Sequence, residues 1–205
     1  MPTLDPTVLR KATRHLAQSD PVLAELIGRV GPCTLKLQTR RFESLARAII
    51  AQQISGAAAK SIYLRLNAAL RPRKLTPESL ALQPDDVLRS CGISPQKLGY
   101  LRDLQSRALA RDVHLPRLHQ FPDHEVIESL VQVKGIGVWT AQMFLIFSLG
   151  RLDVLPHQDF GIRSAMQRLY GLRELPDRAT CEQTAQPWRP YASIASWYLW
   201  RSVDG

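Results

Sequence analysis

The chain has 205 residues, 45% of them hydrophobic, which is enough for one full core or for two small lobes packed together. Its formal net charge is +9, from 27 Lys and Arg against 18 Asp and Glu, and the basic residues recur along the whole length, which suits a polyanionic partner such as nucleic acid. No stretch approaches about eighteen consecutive apolar residues and the N-terminus has no basic start followed by an apolar run, so neither a membrane span nor a secretory leader is expected and the reading is cytoplasmic.

Taken in chain order, the clearest local signal is a capping side chain followed by proline at the first helical position, as at Asp5-Pro6, Asp20-Pro21, Thr76-Pro77 and Ser94-Pro95. Apolar residues then recur three and four apart, as in Leu98, Leu101, Leu104 and Ala108, or Val126, Ile127, Leu130 and Val131. Gly28 or Gly31, Gly92, Gly150 and Gly171 follow such runs as stop signals, so roughly ten short helices are predicted. Only Cys33 to Leu37 alternates like a strand, and the fold class is read as all-α. Cys33, Cys91 and Cys181 lie far apart and the histidines show no ligand spacing, so no catalytic metal, cluster or disulfide framework is expected.

The most informative stretch is LVQVKGIGVWTAQMFLIF, residues 130–147, where one amphipathic helix stops and another starts within a few residues. Gly135 supplies the positive φ that ends the first helix, Ile136 plugs between the helices, and Gly137 leaves room for a close backbone approach. Amides of such a turn and of the following helix start bind phosphate through N–H groups and the helix dipole. Taken alone, the tripeptide reads equally well as an ordinary helix corner. Downstream, Gly150 stops an apolar helix and Asp159 opens the next, as a simple N-cap or as a functional carboxylate at the positive end of a helix dipole, two roles that can hold together.

Residues 130–147 followed by DVLPHQDFGIR (153–163), with FESLARAIIAQQIS (42–55) upstream and QPWRPYA (186–192) downstream, resemble the helix-hairpin-helix DNA glycosylases, specifically the DNA-3-methyladenine glycosylase II branch. The resemblance covers nearly the whole chain. It implies two packed helical lobes of the HhH-GPD type with the active-site cleft between them, as one unit over residues 1–205 with the helix-hairpin-helix at about 124–149 and the N- and C-terminal segments sharing one lobe. With only fifty residues before the AQQIS segment, the expectation is the compact form without an N-terminal β-containing domain.

By the same resemblance Asp159 is the catalytic carboxylate, Trp139, Trp188 and Tyr191 line the base pocket, and Gln52, Gln53, Ile54, Lys134, Gly135, Ile136, Gly137 and Thr140 meet DNA. Gln53 stands where relatives vary in the residue wedged into the DNA gap, and Lys134 where many have proline. Trp197 and Trp200, on the terminal helical segment, read as core packing. No cofactor is implied beyond a monovalent cation on the hairpin carbonyls. The implied partner is double-stranded DNA containing alkylated bases, and the implied state is a monomer.

The implied reaction is hydrolysis of the N-glycosidic bond of alkylated purines such as 3-methyladenine and 7-methylguanine after base flipping. Ordinary glycosidases need a second carboxylate to protonate the leaving group, but a cationic purine already leaves well, so one acid suffices. Bifunctional members carry a nucleophilic lysine two residues beyond the second hairpin glycine; here that position is Trp139, so no lyase step is expected. Two alternatives stay open: a non-enzymatic DNA-binding helix-hairpin-helix module, which would not need Asp159, and a glycosylase of the same fold acting on another damaged base.

Overall fold

A computed structural model describes residues 4–203; residues 1–3 and 204–205, the two ends of the single unit expected above, lie outside the described residues. In chain order the α-helices are α1 (Pro6–Ser19), α2 (Pro21–Val30), α3 (Arg41–Ala51), α4 (Gly56–Ala69), α5 (Pro77–Ala81), α6 (Asp85–Ser90), α7 (Pro95–Ala110), α8 (Asp123–Val131), α9 (Val138–Phe144), α10 (Phe160–Leu169), α11 (Arg178–Thr184) and α12 (Ala192–Val203). Single 3-10 turns occupy Leu115–Gln120 and Gln186–Trp188, and a π-type turn, Leu145–Leu149, continues α9.

The four predicted starts are all present. Asp5, Asp20, Thr76 and Ser94 each accept from a backbone amide one turn on, with proline opening the helix behind them. Of the two stops offered for α2, Gly31 is the one used: its φ is +82°, whereas Gly28 lies inside the helix. Cys33 to Leu37 does alternate, with Cys33 and Leu35 buried and Thr34 and Lys36 exposed, but no strand ladder forms among the described residues. The segment is tied instead to a helix end, Gln38 N–H donating to Phe147 O at 2.7 Å.

The described residues of Met1–Gln38 and Leu145–Gly205 cluster in one compact unit, those of Thr39–Phe144 in a second. In the first, α12 is buried at every position from Ala192 to Leu199 and packs on α10 and α2, with α1 beside α2. Its polar centre is Asp20. One oxygen of that buried carboxylate accepts from Val22 N (2.9 Å) and Leu23 N (3.1 Å), the other from the Tyr170 hydroxyl (2.6 Å) and Trp188 Nε1 (2.8 Å). One short side chain thereby ties the start of α2 to the end of α10 and to the segment before α12.

In the second unit α3 buries Phe42, Leu45, Ala46, Ile49 and Ile50, the i, i+3, i+4, i+7, i+8 stripe of an amphipathic helix, against α4, α7 and α9. Helix α7 answers with Leu98, Leu101 and Leu104. Arg102, on another side of α7, donates to the carbonyls of Leu80 (2.9 Å) and Gln83 (2.5 Å) and to Asp85 (2.7 Å), which pins α5 and α6 to it.

Candidate functional site

The hairpin lies wholly in the second unit. Helix α8 ends at Val131 and α9 begins at Val138, with Ile136 N–H closing the turn onto Val133 O at 3.0 Å. Gly135 is required here twice over. Its φ is +81°, and a Cβ on it would sit 2.2 Å from the ring of Tyr100 on α7. Gly137 faces open space, with nothing beyond its chain neighbours within 4 Å of where its Cβ would be, so the close backbone approach expected there is not made within the described residues. Amides in the first turn of α9 have no carbonyl within the helix to bond. Lys134 is exposed, but its own backbone N–H is taken by Asp103 Oδ2 at 2.9 Å.

Two expected DNA contacts are narrowed by burial. The side chains of Ile136 and Thr140 are turned into the fold, and the Ile136 N–H is already spent on Val133 O, so neither side chain nor the Ile136 amide is open to a phosphate. The segment after α3 is exposed, as its expected role requires: Gln53 adopts a left-handed φ of +55°, uncommon for a side chain other than glycine, and the neighbouring Ile54 is 37% exposed. Gln52, half-buried, is turned the other way, its Nε2–H donating to Gly135 O at 2.7 Å. Trp139 stands 44% exposed at the start of α9.

Asp159 belongs to the first unit and is the N-cap of α10, its Oδ1 accepting from Ile162 N–H at 2.9 Å. The N-cap role weighed for this carboxylate is therefore present, and it leaves Oδ2 outside the capping bond. The same oxygen also accepts from Trp200 Nε1–H at 3.0 Å, and Trp200 in turn stacks at 5.5 Å on Phe147. Gly161 eases this arrangement, because a Cβ there would lie 3.1 Å from Asp159 Oδ1 and would press the carboxylate aside by a few tenths of an ångström. Phe160, next to the carboxylate, is 70% exposed.

The tryptophans are therefore redistributed. Trp188, expected in the base pocket, has no exposed surface at all: it is fully buried with its N–H on Asp20, and its ring lies 6.3 Å from that of Tyr170. Tyr191, also expected there, is buried edge-on against His15 at 5.3 Å. Trp200, read as core packing, is instead the aromatic in contact with Asp159. Nothing local in the sequence signals it, since the two residues are 41 positions apart and meet only because α10 packs on α12. Trp197 is buried as expected, edge-on to Tyr198.

The Trp200 bond has a measurable consequence. Trp200→Phe keeps an aromatic ring but removes the donor, and should slow any reaction that depends on the Asp159 orientation by about tenfold, near the lower end of about 1.5–3 kcal/mol for a hydrogen bond to a charged group. A single-turnover rate equal to wild type would show that the bond does not position the carboxylate.

A family model described as HhH-GPD superfamily base excision DNA repair protein matches residues 46–190. Over 197 residues, 94% of this chain and 92% of the relative, the sequence is 32% identical to the alkylbase DNA glycosidase-like protein mag2 of Schizosaccharomyces pombe. It is 31% identical over 201 residues, 96% of this chain and 88% of the relative, to DNA-3-methyladenine glycosylase 1 of the same yeast. The solved structure of the S. pombe 3-methyladenine DNA glycosylase Mag1 in complex with abasic DNA superposes with a TM-score of 0.83 at 30% identity, covering 95% of this chain and 97% of that one. Among the described residues no helix is long and apolar enough to cross a membrane.

Proposed function

This chain belongs to the HhH-GPD superfamily of base excision DNA repair proteins, and on that footing we propose that it is a monofunctional DNA glycosylase that removes alkylated purines such as 3-methyladenine and 7-methylguanine from double-stranded DNA. The observation that carries the reading is the Asp159 carboxylate, fixed by an amide and an indole N–H beside an exposed aromatic, in a chain that matches DNA-3-methyladenine glycosylase 1 of S. pombe over 88% of that relative's length. The protein acts in the compartment that holds the DNA.

Extrusion of the damaged nucleotide leaves a gap in the stack, and the exposed turn of Gln53 and Ile54 is the segment that fills it. The hairpin from Lys134 to Gly137 holds the backbone through the Gly135 and Gly137 amides and those of the first turn of α9, since the Lys134 and Ile136 N–H groups are already bonded within the fold. An alkylated purine carries positive charge, and an indole face attracts such a cation by about 0.5–2 kcal/mol depending on desolvation, a discrimination that a neutral base does not share. Trp200, at the carboxylate, and Trp139, on the hairpin helix, are the tryptophans with surface to offer.

As the glycosidic bond breaks, positive charge develops on the sugar, and the Asp159 carboxylate stabilises it and orients or deprotonates the attacking water. The purine leaves as a neutral base, so no second acid is needed. A monovalent cation at the hairpin would take the turn carbonyls, neutral oxygens that fit a singly charged ion. Gly135 O keeps one of its two lone pairs after accepting from Gln52.

With Trp139 where bifunctional relatives carry lysine, the product is an intact strand bearing an abasic site. Borohydride added during turnover should therefore trap no covalent protein–DNA adduct. A trapped adduct would show an amine nucleophile and a lyase step.

A further inference from the structure

The turn after α3 and the hairpin between α8 and α9 are joined across 83 positions of sequence by one hydrogen bond, Gln52 Nε2–H to Gly135 O at 2.7 Å. Both are also held from behind by one face of α7. Lys97, Tyr100 and Asp103 stand three residues apart on that helix, so they form a single stripe. Lys97 Nζ donates to Ile50 O at 2.7 Å, at the last turn of α3. The Tyr100 ring fills the space where a Gly135 side chain would be. Asp103 Oδ2 accepts from Lys134 N–H at 2.9 Å and is itself held by Arg107 Nε at 3.1 Å.

We propose that Gln52, backed by this stripe of α7, is a positioning residue that locks the gap-filling turn to the phosphate-gripping hairpin, so that backbone grip and wedge insertion are a single event. The inference rests on the glycosylase reading above. Its physical basis is conformational entropy: a loose turn must be ordered at the moment it enters the stack, whereas a turn already bonded to the hairpin was ordered on folding. Gln53 fits this picture, because its left-handed backbone persists only where the surroundings determine it. The side chain that points outward and the one that points to the hairpin are adjacent, so fixing Gln52 aims Gln53.

The test uses Gln52→Met, which keeps length without polar atoms, and Gln52→Glu, which keeps shape without a donor. The full chain is assayed for binding to an undamaged duplex, binding to the same duplex with an abasic-site analogue, and single-turnover release of 3-methyladenine. Both variants should lose about tenfold more affinity for the abasic duplex than for the undamaged one, with a matching loss in release rate, the effect of one hydrogen bond expressed in the inserted state. Asp103→Asn should move both readouts in the same direction by less.

Unchanged preference in both Gln52 variants overturns the proposal. So does an equal loss on undamaged and abasic duplex, which is what simple destabilisation gives. A wild-type protein that neither releases base nor prefers the abasic duplex brings down the glycosylase reading itself, and this inference with it.

Discussion

Asp159→Asn leaves the protein folded and bound to DNA but lowers the single-turnover release of alkylated purine by about 10²–10³-fold, the size found when one preorganised charge-stabilising group is removed from an active site. Asparagine is chosen because it caps a helix about as well as aspartate, so the bond to Ile162 N–H survives, and its carbonyl still accepts from Trp200. What disappears is the negative charge facing the developing sugar cation. Release measured on methylated duplex, with thermal midpoint and duplex affinity alongside, separates chemistry from folding. A mutant rate within about threefold of wild type would reduce Asp159 to a structural cap.

The second large effect is on stability. Asp20→Ala strips the acceptor from Trp188 Nε1 and the Tyr170 hydroxyl and removes the cap of α2 in one step. Each stranded donor costs about 1–3 kcal/mol and the lost cap about 1 kcal/mol, for a total of about 3–7 kcal/mol and a midpoint lower by on the order of 10 °C.

The same cluster gives stability a direction with pH. Burial first, and the bond to Asp20 second, raise the Tyr170 phenol above its ordinary value. A group whose folded value is raised contributes fully below its unfolded value, about pH 10, and loses that contribution as pH rises through the folded one. Thermal melts should therefore fall more steeply above pH 10 for wild type than for Tyr170→Phe. Parallel slopes, or a melt of Asp20→Ala within about 2 °C of wild type, would show that the cluster contributes little.

What could be read from the sequence was local chemistry. A capping side chain, a proline behind it and the apolar spacing that follows all act within one or two turns, so α1, α2, α5 and α7 begin where the residues say they should. The glycine pair of the hairpin and the cap at Asp159 are equally local. Pairings across the chain were not legible. Trp188, which the resemblance places in the base pocket, is buried on an aspartate 168 positions away. Trp200, on a regular helix, reads as core but bonds to the carboxylate. Indoles carry the same chemistry in either place, and only the packing of α12 on α10 and of α2 near Trp188 decides which becomes which. Gln52 is a similar case, since a glutamine at a helix end gives no sign that its amide is spent on a hairpin carbonyl.

The most direct measurement of the account is free-base release by the wild-type protein from methylated duplex DNA, with the strand kept away from alkali. The account predicts 3-methyladenine and 7-methylguanine in the supernatant, under multiple turnover, and strands that remain uncut until alkali is added. Tight binding to the duplex with no base released would contradict it, and would mark the protein as a helix-hairpin-helix module that grips DNA without chemistry.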